Sequence, residues 1–90
     1  HIATQAEEVL DLTALEFAIL GSLLRARGRV KTREALIQEV SERKFDVFDR
    51  SIDVHISALR KKLGDDAKPP RYIRTIRAVG YQLIDPNRVL

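Results

Sequence analysis

Apolar residues recur at helical spacing in three stretches of this chain, with short alternating runs before the first stretch and after the last. The clearest stretch runs from Arg50 to Gly64. At about 3.6 residues per turn, Ile52, Ile56, Leu59 and Leu63 fall within roughly 60° of one another. The opposite side carries Arg50, Val54, Ser57 and Lys61, with Ala58 close beside them. A helix that only covers a core usually turns a carboxylate-rich face to water. This one turns small and basic groups outward, a surface suited to lying against phosphates.

The flanking pattern supplies the other elements. Thr13-Ala14-Leu15-Glu16 is a capping box in which Thr13 and Glu16 satisfy two orphan backbone donors reciprocally, so a first helix opens there. Phe17, Leu20, Leu23 and Leu24 form its apolar stripe, Arg25 and Arg27 complement its negative end, and Gly28 terminates it. Thr32 is the expected N-cap of a second helix that runs through Val40, with Leu36, Ile37 and Val40 inward. Residues 43–48 read as a loop, and Asp49 as the N-cap of the third helix. Beyond Gly64 lies a polar turn whose Pro69 and Pro70 force an extended exit. Ile2-Ala3-Thr4-Gln5 and Val9-Leu10-Asp11-Leu12 read as two short strands, and residues 73–84 as a basic β-hairpin. Pro86 ends the last strand.

The resulting order is strand, strand, helix, helix, helix, strand, strand. That predicts an α+β winged helix-turn-helix, a three-helix core with a short N-terminal antiparallel sheet and a C-terminal hairpin wing. One domain would span residues 1–90, with strands in 1–12, helices in 13–64, the wing in 72–84 and a tail in 85–90. The connection between the second and third helices, about eight residues, is longer than the tight turn of the simplest helix-turn-helix motifs.

Composition narrows the chemistry. Ninety residues suit one domain with a modest core. Absence of cysteine excludes a disulfide framework, a cysteine zinc finger and a thiol nucleophile, and is compatible with a cytoplasmic location. No apolar run approaches the roughly 20 residues that cross a bilayer, and no signal peptide is visible. The chain begins at His1 without a methionine, as a piece of a longer protein would.

Net charge is +3, but it is unevenly placed. Residues 1–48 hold seven basic and eight acidic side chains, whereas residues 49–90 hold nine basic and five acidic. The positive excess belongs to the third helix and the hairpin, which favours a polyanionic partner over a merely solvated basic surface.

Catalysis finds no support. Ser51, Asp53 and His55 contain the residue types of a hydrolase triad, but positions two apart on a helix point roughly 200° apart, so Asp53 and His55 face different directions. With only His1 and His55 available, a metal site has no ligand set, and no cofactor is expected. His55 instead flanks the buried stripe.

As a groove-reading surface the helix makes chemical sense. Val54 and Ala58 suit thymine methyls, Ser57 bonds either base type, and Arg50 near the helix start reaches a phosphate or a guanine edge. Arg60, Lys61 and Lys62, toward the other end, suit the phosphate backbone.

The string Arg50-Ser51-Ile52-Asp53-Val54-His55-Ile56, continued by Leu59-Arg60-Lys61-Lys62-Leu63, resembles the recognition-helix signature of the OmpR/PhoB family of bacterial two-component transcription regulators. Ile73-Arg74-Thr75-Ile76-Arg77-Ala78-Val79-Gly80-Tyr81 resembles that family's wing. Leu12-Thr13-Ala14-Leu15-Glu16-Phe17 and Thr32-Arg33-Glu34-Ala35-Leu36 resemble the starts of its first and second helices. Phe48-Asp49-Arg50-Ser51-Ile52-Asp53 is most similar to the family's envelope-stress branch.

The resemblance implies a double-stranded DNA-binding effector domain that follows a phosphoacceptor receiver domain lying outside these residues. It implies head-to-tail binding to tandem direct repeats, with receiver phosphorylation promoting dimerisation. It adds Ser51 to the recognition helix. It places Thr75, Arg77 and Tyr81 where the family's wing meets phosphates or the minor groove, and Lys31 and Thr32 at a further phosphate. The loop containing Phe45, Val47 and Phe48 corresponds to one that approaches RNA polymerase, with Arg43 and Lys44 as its contact candidates and the phenylalanines tucked into the core. No membrane or small-molecule substrate is implied.

Two departures stand out. The family carries a four-stranded sheet before the first helix, and the twelve residues before Thr13 hold only part of one. Its wing also has glycine where this chain has Ala78; a left-handed backbone there costs alanine roughly 1 kcal/mol. A winged helix used for protein docking, and a non-specific nucleic-acid binder, remain the alternatives.

Overall fold

The computed structural model describes residues 3–5, 8–42, 49–65 and 72–84. Strand β1 (Ala3–Gln5) pairs antiparallel with β2 (Glu8–Leu10), Ala3 opposite Leu10. Helix α1 (Ala14–Arg25) opens on the predicted capping box. The Glu16 amide donates to Thr13 Oγ1 at 3.1 Å, and the Thr13 amide donates to Glu16 Oε1 at 2.9 Å. Its end is sharper than a single glycine would make it, because Arg27 (φ 53°) and Gly28 (φ 85°) are both left-handed.

The chain then forms a strand the apolar pattern did not reveal. β3 (Lys31–Thr32) lies against β5 (Gly80–Leu83), which also pairs with β4 (Ile73–Ile76), so the wing is a three-stranded antiparallel sheet in the order β3-β5-β4. Two residues are too few to show an alternating pattern. Gly80 permits the pairing: a Cβ there would sit 2.0 Å from the Lys31 carbonyl oxygen. Thr32 serves twice, its backbone in the strand and its hydroxyl accepting from the Ala35 amide at 3.0 Å as cap of helix α2 (Arg33–Glu42).

Helix α3 (Asp49–Leu63) ends in a Schellman turn. Gly64 takes φ 73°, its amide donates to the Lys61 carbonyl, and the Asp65 amide donates to the Arg60 carbonyl at 2.7 Å. The Asp65 carboxylate is buried and accepts from the amides of Tyr72 (3.2 Å) and Ile73 (2.9 Å). The polar turn therefore begins with an anchor that ties the end of α3 to the start of the wing. The remainder of that turn, the loop at residues 43–48 and the tail at 85–90 lie outside the described residues.

The core sits where the three helices meet the sheet. Ile19, Leu20 and Leu23 of α1 pack with Leu36 and Val40 of α2, with Ile52, Ile56, Leu59 and Leu63 of α3, and with Ile73, Tyr81 and Leu83. All four α3 residues predicted inward are buried. In α1 the buried stripe also takes in Ala18 and Ile19; Phe17 and Leu24, expected in the stripe, lie half-buried at its edge, as does Ile37 in α2. Each fully buried aliphatic side chain contributes about 1.5–3 kcal/mol. This packing leaves one face of α3 uncovered.

Candidate nucleic-acid interface

The uncovered face follows directly from the packing. With Ile52, Ile56, Leu59 and Leu63 inward, Val54, Ser57 and Lys61 point outward and are exposed, with Ala58 half-buried beside them. Val54 is 65% exposed, an apolar side chain held in water by a helix anchored from behind. Arg50 and Ser51 belong to α3, but only their backbone is described; Arg43 and Lys44 lie outside the described residues.

The flanks of α3 are engaged with the rest of the fold. At about 100° per residue, Asp53 and Arg60 share one flank, while His55 and Lys62 lie on the other. Arg60 was expected to hold a phosphate. Its guanidinium donates to the Ile73 carbonyl (Nη2, 3.1 Å; Nε, 3.3 Å) and to Thr75 Oγ1 (2.6 Å), and lies 5.6 Å from the centroid of the Tyr81 ring. Lys62, also expected on the phosphate backbone, pairs with Glu16 at the start of α1, Nζ to Oε1 2.6 Å. Burial would raise the Glu16 carboxyl pKa, but the hydrogen bonds from Lys62 and the Thr13 amide outweigh it and hold it below the ordinary value of 4.5.

Asp53 gathers a second set of contacts. It accepts from the Tyr81 hydroxyl and, at 3.0 Å, from Arg33 Nε at the start of α2. The Tyr81 bond is the largest influence on the Asp53 carboxyl, and with Arg33 it overcomes partial burial to hold that pKa low. Burial and the same bond push the Tyr81 hydroxyl up, and Asp53 raises the Arg33 guanidinium. Tyr81, only 3% exposed, thus lies beneath the helix rather than on its outer face.

The second-helix candidates are engaged as well. Lys31 Nζ pairs with Glu39 at 2.9 Å, Ser22 donates to the same carboxylate, and Thr32 caps α2. Burial raises the Glu39 pKa, but Ser22 and Lys31 bring it below the ordinary range.

The wing tip is different. Arg77, Ala78 and Val79 are all exposed in the turn closed by the Val79 amide on the Ile76 carbonyl at 2.9 Å. Ala78 takes φ 63°, a left-handed conformation that glycine adopts without the Cβ penalty.

The structural contacts of Asp53, Arg33 and Asp65 are not themselves visible in the sequence pattern. One sign was present: Asp53 lies seven residues before Arg60 and therefore on the same flank of the helix. Its partners, twenty and twenty-eight residues distant, left none. No group of acidic or histidine side chains suited to a metal occurs among the described residues, nor any helix long and apolar enough to cross a membrane.

An anchored helix with a small, basic outer face, beside a three-stranded wing with an exposed tip, defines a winged helix-turn-helix domain. The family profile described as "Transcriptional regulatory protein, C terminal" matches residues 7–83. The chain is 48% identical over 83 residues to the transcriptional regulatory protein CpxR homolog of Haemophilus influenzae, covering 92% of this chain and 37% of that protein. The RstA DNA-binding domain of Klebsiella pneumoniae, solved in complex with the RstA box, superposes with a TM-score of 0.78 at 38% identity, over 93% of this chain and 83% of that one. The DNA-binding domain of Escherichia coli CpxR gives 0.75 at 38% identity, over 94% and 83%. The chain belongs to the C-terminal domain family of OmpR/PhoB-type transcriptional response regulators, a family of regulators rather than enzymes. It spans little more than a third of the length of the curated relatives it matches, 37% of the Haemophilus protein.

Proposed function

We propose that this domain binds double-stranded DNA sequence-specifically, with α3 in the major groove and the tip of the wing at the adjacent minor groove. The observation that carries the reading is the outer face of α3: Val54, Ser57 and Lys61 exposed on a helix whose other side is wholly core. Val54 and Ala58 suit thymine methyls, Ser57 suits a base edge, and Lys61 a phosphate. Arg77, exposed at the wing tip, suits a narrow minor groove. Arg50 and Ser51, on the first turn of α3, complete the contact set.

Internal engagement of Arg60, Lys62, Thr75, Tyr81, Lys31 and Thr32 favours a positioning role for these six over direct contact. Within a longer regulator, residues 1–90 form the single effector domain in the cytoplasm. A phosphorylated receiver domain brings two copies head to tail on direct repeats, and Arg43 and Lys44 meet RNA polymerase. Tethering raises effective concentration, so the isolated domain binds more weakly than the dimeric regulator.

The test begins by selecting duplexes from a random pool with the phosphorylated full-length regulator. The domain is then titrated against the selected and a scrambled duplex across salt. If about five phosphates are neutralised, log affinity falls against log salt with a slope near −4 to −5, and the selected duplex binds more tightly. A flat slope would favour protein docking; equal affinity for both duplexes would reduce the domain to a non-specific binder.

A further inference from the structure

We propose that Asp53 and Tyr81 are positioning residues for base readout, a brace that fixes the angle between α3 and the wing. The inference rests on the DNA-binding reading above and adds to it how discrimination between sequences is built. Tyr81 belongs to the central strand β5, and its hydroxyl donates to Asp53 on the flank of α3. Asp53 also holds Arg33, the first residue of α2. The Tyr81 ring lies under two guanidinium groups, Arg33 at 5.5 Å and Arg60 at 5.6 Å from its centroid. Arg60 in turn grips β4 through the Ile73 carbonyl and Thr75. The start of α2, the recognition helix and both long strands of the wing therefore converge on one carboxylate and one phenol.

Why such a brace acts on specificity follows from the distance dependence of the contacts. Phosphate attraction varies slowly with separation, so a helix displaced by a fraction of an ångström keeps most of it. Hydrogen bonds and methyl contacts to base edges tolerate about 0.5 Å of misplacement. Loosening α3 against the wing should therefore reduce discrimination while sparing general affinity. Asp53 makes a second signature available. Its side chain is 48% exposed, and a carboxylate beside the contact face opposes an approaching phosphate. Neutralising it should leave binding to scrambled DNA unchanged or stronger while weakening binding to the selected site. Partial unfolding or loss of a phosphate contact would instead lower affinity for both duplexes together.

The test uses Tyr81→Phe, which keeps the ring and removes only the hydroxyl, and Asp53→Asn, which keeps the shape and removes the charge. Affinity for the selected and scrambled duplexes is measured together with thermal melting, and residual dipolar couplings of free protein report the orientation of α3 relative to β4 and β5. The expected result is a roughly tenfold fall in the selected-to-scrambled ratio for both variants, with scrambled affinity unreduced and a changed helix-to-wing orientation. A wild-type ratio in both variants, or the same fractional loss on both duplexes, overturns the proposal. If the unmodified domain itself fails to distinguish the duplexes, the sequence-specific reading falls. The couplings then judge the brace alone, and an unchanged orientation in both variants rejects it.

Discussion

Ala78 shows how a single residue can carry a conformational cost at the tip of a functional element. Its φ of 63° is a conformation that costs an L-residue about 1–2 kcal/mol. Glycine removes that cost but loses about 0.5–1 kcal/mol through the greater freedom of its unfolded chain. Ala78→Gly should therefore stabilise the domain by about 0.5 kcal/mol, seen as a higher urea midpoint at unchanged slope. Glu16 makes a pH-dependent contribution. Its folded pKa lies below the ordinary 4.5, so the stability it lends is fully present above that value and is lost as pH falls through the lower folded pKa. Asp53, lowered from 3.8, acts in the same direction. In Glu16→Gln the capping oxygen is retained and the charge is lost. The variant should be less stable than wild type at pH 7, and the gap should narrow as the urea midpoint is followed below pH 4.5.

Elements differ in how far the sequence reveals them. Helices announce themselves locally: Thr13 and Glu16 cap α1 as their spacing demands, and the four α3 residues that share one arc of about 60° are the four that are buried. β3 is invisible for an equally physical reason. It consists of two residues whose pairing depends on Gly80, nearly fifty positions later. The same distance limit governs the candidate site. Val54, Ser57 and Lys61 were legible because helical geometry alone sends them outward. The engagement of Arg60 with Thr75 and Tyr81, and of Lys62 with Glu16, depends on the tertiary fold and leaves no local pattern. Gly80→Ala should test the hidden pairing. The added methyl cannot fit against the Lys31 carbonyl, so a loss of at least about 2 kcal/mol is expected. Amide exchange should accelerate first in β3 and β5, with the centre of α1 protected longer.

For the whole molecule, charge placement matters more than the net +3. Ion pairs engage Lys31, Arg33 and Lys62, and the Arg60 guanidinium is bound to the wing. Among the described residues, that leaves Lys61, Arg74 and Arg77 as exposed cations on α3 and the wing. A field so restricted leaves discrimination between sequences to geometry as well as to charge. The central claim is that the outer face of α3 and the wing tip meet DNA together. It is tested most directly by amide chemical shifts of the isotope-labelled domain as a selected duplex is added. The largest changes are expected at Val54, Ser57, Ala58 and Lys61 and around Arg77 to Val79. Changes concentrated instead on α1 and α2, with the α3 face silent, would contradict that claim.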